Sequence, residues 1–373
     1  MILGFDAKRF FHNKTGLGNY SRDLIRILAQ YNSENNYLLY NPKPKKIDRI
    51  LIDGKIIIER LPENKKDRKL SSLWRLFSVS SQIKKDKVEL FHGLSGEIPI
   101  GLNKTGVKTV VTIHDLIFMR YPNLYSFFDR KIHYYKFKYA ANKADLVIAI
   151  SEQTKKDIIT YLNINPDKIK VIYQGCAPVF KEEIPSEFIE FTRKKYNLPL
   201  NFVLNVGTIE KRKNVLSIIK AIKEIDTKLV VIGKKTAYFT EINTYILENN
   251  LQNKVIFLEN VELKELAAIY KIATVFIYPS VFEGFGIPII EALHSETPVI
   301  AAKGSCLAEA GGPNSLYFEP SNAEELTGLI ADLLADESKR KSMAASGKKY
   351  VEKFNGDKIA TELMGLYQSI LSR

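Results

Sequence analysis

The chain has 373 residues, of which 45% are hydrophobic and 26% are charged, and these proportions exclude a disordered or fibrous protein. At roughly 100–200 residues per domain, this length predicts two domains. No apolar run reaches the roughly 18 residues of a membrane-spanning helix. Asp6 comes too early for a secretory signal. The two cysteines, Cys176 and Cys306, lack the spacing of a zinc site or a disulfide framework, so we expect a cytoplasmic protein.

The positive charge of the chain is confined to its first half. The net charge is +13, and residues 1–178 contain 31 Lys and Arg against 17 Asp and Glu. Residues 179–373 contain 24 against 25. A basic half favours an anionic partner such as a nucleic acid, an acidic lipid surface or a phosphorylated substrate. The second half has no such excess, so it must hold any anion in a local site.

Short apolar runs rich in Val and Ile alternate with longer helical patterns. Runs such as 110–113 and 229–232 lack polar alternation, which is typical of parallel strands covered by helices on both faces. The pattern ends near residue 175 and restarts near residue 200, so it predicts an α/β fold with two doubly wound, Rossmann-like domains. The predicted strands are residues 1–6, 37–41, 56–61, 88–92, 108–113, 145–150, 169–173, 202–207, 227–232, 254–258, 274–278, 298–302 and 315–318.

The domain boundaries follow from this repeat. We expect one domain in residues 1–178 and a second in residues 179–356. Residues 357–373 are predicted to form a helix that packs back on the N-terminal domain. Open α/β sheets bind ligands at the carboxyl ends of their strands, so we expect the two sheets to face each other across a central cleft.

The segment 279–293 contains Glu283 and Glu291 on either side of a Gly-rich turn. Pro288 is predicted to be the first residue of a helix, and the preceding amides would then point at an anion. We expect Glu291 on the first turn, where an ionised carboxylate accepts hydrogen bonds from paired hydroxyls such as a ribose diol. The arrangement indicates a nucleotide-sugar, which has hydroxyls at both ends and a diphosphate between them. The predicted amide donors belong to Phe285, Gly286 and Ile287.

A second motif, residues 207–214, follows the first strand of the second domain and opens a helix. Gly207 permits a close backbone approach, Arg212 offers a planar fork to phosphate oxygens, and Lys213 offers a compact charge. Such donors suit a leaving diphosphate, because negative charge grows on it as the bond breaks. Val261 follows a later strand at the same edge of the sheet and is predicted to lie beside the nucleotide base of the donor.

In the first half, Gly16 and Gly18 follow the first strand and precede an amphipathic helix, so their amides are candidates for holding a phosphate. The full dinucleotide-binding fingerprint is absent, and we therefore discount an NAD enzyme. His114 and Asp115 end a buried strand, which places them at the predicted cleft. His92 ends a neighbouring strand in the same way.

Residues 64–87 have the pattern of a basic amphipathic helix, in which apolar side chains recur among basic ones, namely Lys65, Lys66, Arg68, Lys69 and Arg75. Two interpretations remain open: a helix that lies on an anionic membrane surface, and a surface helix that packs on its own domain. The apolar positions are Leu70, Leu73, Trp74 and Phe77.

These motifs resemble those of a known enzyme family. Residues 283–291 resemble the E-x7-E motif of the retaining GT-B glycosyltransferases of the large fourth family, the group 1 glycosyltransferases. Residues 207–214 resemble the phosphate-binding segment of that family. The resemblance implies transfer of a hexose from a nucleotide diphosphate sugar, with retention at the anomeric carbon and without a bound metal or other cofactor. Further similar segments are 15–18, 112–115, 151–154 and 305–311.

The resemblance also implies residue roles. His114 and Glu283 are expected to contact the transferred sugar, and Asp115 is expected to orient the acceptor; Glu283 as a nucleophile is an alternative. Thr208 stands where many relatives carry Arg, which leaves more of the phosphate binding to Arg212 and Lys213. The predicted donor-binding residues are Gly16, Gly18, Gly207, Thr208, Arg212, Lys213, Val261, Phe285, Gly286, Ile287 and Glu291.

Together these features predict a transferase that extends a lipid-linked or cell-surface glycan at the inner face of the plasma membrane. The N-terminal domain would bind the acceptor and the C-terminal domain the donor, with mannose from GDP-mannose preferred over UDP-hexoses. Two alternatives remain open: a nucleotide-sugar 2-epimerase of the same architecture, and a nucleic-acid-binding protein that uses the basic half. No basic motif interleaved with aromatic residues supports the latter, so we expect no nucleic-acid partner.

Overall fold

The computed structural model describes residues 1–13, 15–45 and 56–372. The chain divides into two compact units, Met1–Gln174 with Phe354–Arg373, and Gly175–Lys353. Each unit is built on one parallel sheet, with helices in most of the described connections between successive strands, and every predicted strand is present. The prediction of an α/β fold with two Rossmann-like domains is therefore confirmed.

The sheet of the first unit has seven parallel strands in the order β3-β2-β1-β4-β5-β6-β7. The order reverses at β1, which pairs with β2 on one side and β4 on the other. Reversal of the strand order opens a crevice beyond the carboxyl ends of the strands. The strands are β1 (Ile2–Asp6), β2 (Asn36–Tyr40), β3 (Ile57–Arg60), β4 (Leu90–Gly93), β5 (Lys108–Ile113), β6 (Leu146–Ala149) and β7 (Ile169–Val171).

The helices of this unit follow the predicted pattern except in the segment predicted to be one basic helix. That segment is interrupted at Leu70. The helix that follows, over residues 71–85, is continuous through one wider π-helical turn at residues 74–78, where the side chains of Trp74 and Arg75 both face inward. Trp74 packs in the core beside Tyr40, and Arg75 binds Asp6. The helices are α1 (Lys8–His12), α2 (Gly16–Tyr31), α3 (Lys65–Lys69), α4 (Ser71–Leu73), α5 (Val79–Lys85), α6 (Ile117–Arg120), α7 (Phe127–Lys143) and α8 (Glu152–Asp157).

The sheet of the second unit has six parallel strands in the order β10-β9-β8-β11-β12-β13, and its order reverses between β8 and β11. The strands are β8 (Val203–Val206), β9 (Leu229–Ile232), β10 (Val255–Leu258), β11 (Val275–Tyr278), β12 (Val299–Ala302) and β13 (Leu316–Phe318). The helices are α9 (Ser186–Lys195), α10 (Val215–Ala221), α11 (Phe239–Glu248), α12 (Leu263–Ile272), α13 (Ile287–His294), α14 (Leu307–Gly311), α15 (Ala323–Ala335) and α16 (Glu337–Val351).

The C-terminal helix, α17 (Gly356–Leu371), belongs to the first unit. Its apolar side chains, including Leu363 and Tyr367, share one buried cluster with Leu24 and Leu28 of α2. Burial of apolar surface at this contact stabilises the helix, because an isolated helix of this length is marginal in water.

Within the residues that the structure describes, no helix combines the length and apolar character needed to cross a membrane.

Candidate active site

The two motifs of the second unit meet at the carboxyl edge of its sheet. Arg212 and Lys213 lie in the turn after β8, and Glu283 lies in the turn after β11, the strand that pairs with β8. The Lys213 ammonium is 2.5 Å from Oε1 of Glu283, and the Arg212 guanidinium is 2.9 Å from the same atom. The side chains of Lys213 and Glu283 are 18% and 13% exposed. Residues 70 positions apart in sequence thus form one ionic cluster at the point where the strand order reverses.

Two hydroxyl groups complete the shell around Glu283. The Ser280 hydroxyl donates to Oε1 of Glu283 over 2.5 Å, and the Tyr278 hydroxyl donates to the same oxygen over 3.1 Å. Burial raises the pKa of Glu283, but Lys213 and Arg212 outweigh that effect and hold this pKa below its usual range. Glu283 is therefore ionised, and it holds both cations at the edge of the sheet.

The two cations are also fixed by neighbours other than Glu283. The Lys213 ammonium donates to the Tyr278 hydroxyl over 2.8 Å and lies 5.1 Å from the centre of that ring. The Arg212 guanidinium donates to the Phe282 carbonyl over 2.5 Å and to Glu210 over 2.6 Å. Donors held in this way need little reorganisation when charge develops on a bound phosphate.

Helix α13 begins one residue earlier than the sequence pattern predicted. Gly286 occupies its N-cap with a φ of 126°, a backbone conformation that favours glycine. Ile287 is consequently the first helical residue, and Pro288 is the second rather than the first. Glu291 is the fifth, so the prediction that it lies on the first turn is wrong.

Glu291 is held by a residue that the sequence analysis did not single out. The Tyr270 hydroxyl donates to Oε2 of Glu291 over 3.1 Å. Burial raises the pKa of Glu291 to about 7, and the hydrogen bond from Tyr270 only partly offsets that rise. This carboxyl group is therefore poised between its neutral and ionised forms near neutral pH.

The turn at 283–286 is anchored from the segment after β12. The Ser305 hydroxyl donates to the Glu283 carbonyl over 2.9 Å, and the Cys306 thiol donates to the Phe285 carbonyl over 2.9 Å. Burial raises the pKa of Cys306, so it stays a neutral thiol donor. In a trans peptide the N–H points opposite to the C=O, so the amide of Gly286 points away from Cys306. The sequence analysis noted 305–311 as a segment similar to the family but gave Ser305 and Cys306 no role, although their position after the strand next to β11 is the signal that identifies one.

The other donor-site candidates of this unit lie at the same sheet edge. The Gly207 amide donates to the Ile232 carbonyl over 2.9 Å, and Thr208 next to it is exposed. Val261 follows β10, which is two strands away from β8. Val261 is therefore at the predicted edge but apart from the ionic cluster.

In the first unit, His114 directly follows β5 and is 9% exposed. Its Nε2 lies 2.9 Å from the Leu94 carbonyl, and its Nδ1 lies 3.2 Å from the Gln174 amide nitrogen. A carbonyl only accepts, so Nε2 carries the proton and Nδ1 accepts from Gln174. Burial lowers the pKa of His114 to about 4. The ring is thus neutral with both nitrogens engaged, an arrangement that suits a fixed contact surface rather than a proton carrier.

The glycine loop before α2 offers fewer amides than the sequence pattern predicted. Oδ1 of Asn13 accepts hydrogen bonds from the amides of Thr15 and Gly18, over 2.8 and 3.2 Å. A Cβ at Gly18 would lie 1.9 Å from the Asn13 carbonyl oxygen, so this position requires glycine for packing. Gly16 is the first residue of α2, and its amide has no partner within the helix.

Asp115 and His92, the two further candidates in this unit, form hydrogen bonds with other residues of the unit. Oδ1 of Asp115 accepts the Ile117 amide over 3.1 Å at the start of α6. His92 is fully buried, with its ring nitrogens 2.6 Å from the Tyr367 hydroxyl and 2.7 Å from the Thr112 hydroxyl. His92 therefore ties the C-terminal helix to the sheet, and the prediction that it faces a cleft is wrong.

Neither unit shows a metal-binding cluster in the described part of the chain: residues 1–13, 15–45 and 56–372 contain no group of three His, Cys, Asp or Glu side chains placed to hold a metal ion.

Comparison with known proteins places both units in one class of enzyme. The family described as Glycosyl transferases group 1 matches residues 188–350, and Glycosyltransferase Family 4 matches residues 15–178. The O-antigen chain mannosyltransferase B of Escherichia coli is 24% identical over 99% of this chain and 100% of its own length. The O-antigen chain mannosyltransferase RfbU of Salmonella typhimurium is 30% identical over 63% of this chain and 62% of its own length.

Solved structures show the same fold. Sucrose-phosphate synthase from Thermosynechococcus elongatus superposes with a TM-score of 0.78 at 22% identity, covering 100% of this chain and 99% of that one. Anabaena Alr3699/HepE in complex with UDP-glucose superposes with a TM-score of 0.77 at 21% identity, covering 99% of each chain.

Proposed function

Because the chain belongs to the group 1 glycosyltransferases and has their GT-B fold, we propose that it is a retaining mannosyltransferase that uses GDP-mannose. Its acceptor would be a glycan or a lipid-linked glycan in cell-surface polysaccharide synthesis. The proposal is supported by the relatives, which are named as O-antigen mannosyltransferases. The observation that carries it is the ionic cluster of Arg212, Lys213 and Glu283 beside the start of α13.

Each group of this cluster has a role in holding the donor. Arg212 and Lys213 donate hydrogen bonds to the diphosphate, and the amides at the start of α13 add neutral donors. Glu291 accepts hydrogen bonds from the ribose hydroxyls in its ionised form. Glu283 accepts hydrogen bonds from the hydroxyls of the sugar while it keeps Lys213 in place.

The rate of the reaction depends on how well the site stabilises the negative charge that develops on the leaving diphosphate. The bond between the anomeric carbon and the diphosphate oxygen breaks, and Arg212 and Lys213 stabilise the negative charge that the diphosphate acquires. The acceptor hydroxyl attacks from the same face, a glycosidic bond forms, and its proton passes to the leaving phosphate. The neutral ring of His114 contacts the sugar without exchanging a proton, and the configuration is retained.

We further propose that this reaction needs no metal ion. The two fixed cations balance the negative charge of the diphosphate, and the helix amides add hydrogen bonds to it. The test is turnover of the purified enzyme after treatment with EDTA. Unchanged turnover supports the proposal, and activity that returns only when Mg²⁺ or Mn²⁺ is added contradicts it.

Replacement of Lys213 tests the assignment of the diphosphate site. Lys213→Met should lower kcat by about 10²–10³, the loss typical of one preorganised donor. Lys211→Met is the matched control, since Lys211 is exposed in the same turn. Wild-type turnover of the Lys213 variant at limiting donor would refute the assignment.

Donor identity and stereochemistry need separate measurements. A thermal-shift panel of GDP- and UDP-sugars should show the largest stabilisation with GDP-mannose, and a larger shift with a UDP-sugar would overturn the choice of base. Nuclear magnetic resonance of the product should show the anomeric configuration of the donor. Incubation with donor alone should leave it largely intact, whereas conversion to its 2-epimer would favour the epimerase.

We expect the enzyme to act on the cytoplasmic face of a membrane, with the basic first unit turned toward anionic lipid and no nucleic acid as partner. The charge asymmetry supports this expectation, because residues 1–178 carry the entire positive excess. A salt-dependent gel shift with nucleic acid, without binding of any nucleotide-sugar, would contradict it.

A further inference from the structure

The second unit contains a cavity at the C-terminal end of helix α13, which we call the α13 cavity. Its volume is about 300 Å³, at the lower end of the roughly 300–1,000 Å³ of ligand pockets. Its walls are the end of α13, parts of α12 and α16, and the segment 180–184. The ionic cluster of Arg212, Lys213 and Glu283 lies instead beside the start of α13, so the cavity is separate from the proposed diphosphate site.

His294, the last residue of α13, lies in the wall of this cavity. It is 8% exposed, and within the part of the chain that the structure describes no group forms a hydrogen bond with its Nε2. A buried polar atom without a partner is costly, so its presence in a native protein needs an explanation, such as a bound molecule. Because the His294 ring lines a cavity, a ligand there can supply the missing hydrogen bond.

The charged groups that act on the His294 ring are positive. Burial, together with the ammonium groups of Lys181 and Lys348, lowers the pKa of His294 to about 3. The ring is therefore neutral near pH 7, and it can form a hydrogen bond with a hydroxyl group. The two ammonium groups favour an anion beside it.

Glu296 fixes ammonium groups from two helices beside the cavity. Its carboxylate lies 2.8 Å from the ammonium groups of both Lys271 in α12 and Lys348 in α16. The φ of Glu296 is 61°, a backbone conformation that favours glycine. The side chain at this position therefore has a backbone cost, and its contribution is to hold the two cations in the cavity wall.

The segment 180–184 adds hydrogen-bond acceptors to the same cavity. Glu182 and Glu183 line it and are exposed. Carboxylates accept hydrogen bonds from hydroxyl groups, whereas lysine ammonium groups bind phosphate oxygens. The cavity thus offers contacts for hydroxyl groups and for a phosphate within the space of one small molecule.

The cavity is connected to the proposed donor site through Tyr270. The ring of Phe180, in the cavity wall, packs edge-on against the Tyr270 ring, with 5.7 Å between the ring centres. The Tyr270 hydroxyl donates to Glu291, the group proposed to bind the ribose. The Thr297 hydroxyl, in the residue after Glu296, donates to the Tyr270 carbonyl over 2.6 Å. A ligand that fixes the cavity wall therefore also restrains the residue that holds Glu291.

We propose that the α13 cavity is an effector site for a sugar phosphate, and that its occupancy strengthens binding of the donor. The phosphate lies beside the ammonium groups of Lys181 and Lys348, and a sugar hydroxyl bonds to Nε2 of His294. Glu182 and Glu183 accept hydrogen bonds from further hydroxyls. Binding in the cavity is independent of the proposed function, whereas the effect on the donor rests on the proposed donor site.

Titration calorimetry on the full-length wild-type protein tests the ligand class. Mannose 6-phosphate and glucose 6-phosphate are the probes, and mannose and inorganic phosphate each carry only part of the chemistry. We expect saturable binding of at least one sugar phosphate and at least about tenfold weaker binding of the two partial ligands, because each leaves polar groups of the site unpaired. Absence of binding by both sugar phosphates, or equal binding of inorganic phosphate, would overturn the proposal.

Variants locate the bound sugar phosphate. K181M/K348M should weaken its binding by about tenfold or more, because both charge-assisted hydrogen bonds are lost. The matched control, K228M/K341M, changes two exposed lysines elsewhere in the same unit. Lys213→Met should bind the sugar phosphate as wild type does. Binding that Lys213→Met loses and K181M/K348M keeps would place the ligand in the donor site and refute the cavity.

His294→Phe separates ligand binding from a structural role. Phenylalanine keeps an aromatic ring but has no ring nitrogen, so sugar-phosphate binding should weaken by about fivefold. In urea without ligand, the variant should unfold at the same concentration as wild type or at a higher one, because no hydrogen bond of Nε2 is lost. A lower midpoint would show that His294 has a structural partner, and wild-type affinity would refute its role in binding.

The effect on the donor site is measured with GDP as the probe, or with UDP if GDP does not bind. Saturating sugar phosphate should tighten nucleotide binding by about fivefold or more, and the nucleotide should tighten sugar-phosphate binding by the same factor. Tyr270→Phe keeps the ring and loses the hydroxyl, so it should retain sugar-phosphate binding and lose most of this increase. Sugar-phosphate binding that leaves nucleotide affinity unchanged would overturn the effector role, whereas failure of both nucleotides to bind would refute the proposed function instead.

Discussion

Replacement of Glu291 by Gln should make the protein more stable at high pH while weakening its binding of the donor. Burial raises the pKa of Glu291 from its ordinary value of 4.5 to about 7. The folded protein therefore binds this proton more tightly than the unfolded chain does. The resulting stabilisation is complete below about pH 4.5 and is lost as the pH rises through 7. A rise of this size corresponds to about 3 kcal/mol at roughly 1.4 kcal/mol per pKa unit.

Glutamine has the size of glutamate and stays neutral, so Glu291→Gln should not lose this stability as the pH rises. Urea unfolding followed by circular dichroism should show that the variant gains stability relative to wild type between pH 5 and pH 8. The gain should reach up to about 3 kcal/mol. The exposed Glu248→Gln is the matched control and should show no such gain.

The affinity of this variant for the donor should fall where its stability rises. An amide offers one acceptor oxygen where an ionised carboxylate offers two, so the affinity of Glu291→Gln for the nucleotide-sugar should fall most at pH 8. Isothermal titration with the donor at both pH values measures this fall. If the stability difference between variant and wild type is the same at pH 5 and pH 8, the raised pKa of Glu291 is refuted.

Three further predictions follow from other buried groups. Gly286→Ala should weaken donor binding and cost about 1–3 kcal/mol of stability, because φ is 126° there; unchanged values in titration and urea unfolding would contradict this. Asp6→Asn should destabilise the first unit by about 1.5–3 kcal/mol, because Arg75 loses one of its two carboxylate partners and keeps only Glu97; the fluorescence of Trp74 during unfolding reports this loss. His114, with a pKa lowered by burial from 6.5 to about 4, contributes stability that is lost as the pH falls between those values. His114→Gln should flatten that acid limb of the stability curve, and an unaltered limb would count against it.

The pattern of apolar residues was sufficient to predict the fold. Runs such as 110–113 and 229–232 lack polar alternation because helices cover both faces of a parallel sheet. Burial on both faces appears in the sequence of each strand by itself. The apolar runs could therefore identify the strands one by one, and the structure contains each predicted strand. The end of the pattern near residue 175 and its restart near 200 likewise marked two Rossmann-like units.

Hydrophobic periodicity did not describe helices whose different sides have different surroundings. Helix α7 is apolar on a buried face and on an exposed face, so its sequence shows no single apolar stripe. Residues 64–87 were predicted as one helix, but the structure interrupts it at Leu70 and widens one turn at residues 74–78, where Trp74 and Arg75 both face inward. Neither result is visible without knowing what surrounds each side chain.

The sequence by itself determined which residues follow which strands, because hydrophobic periodicity reports the burial of each segment. It therefore placed Lys213 and Glu283 at strand ends. Only the tertiary structure decided that these two side chains meet at 2.5 Å, that Gln174 fixes the ring of His114, and that Cys306 anchors the turn before α13. These contacts join residues far apart in the chain, and the pairing of strands, which brings them together, depends on the packing of the whole unit.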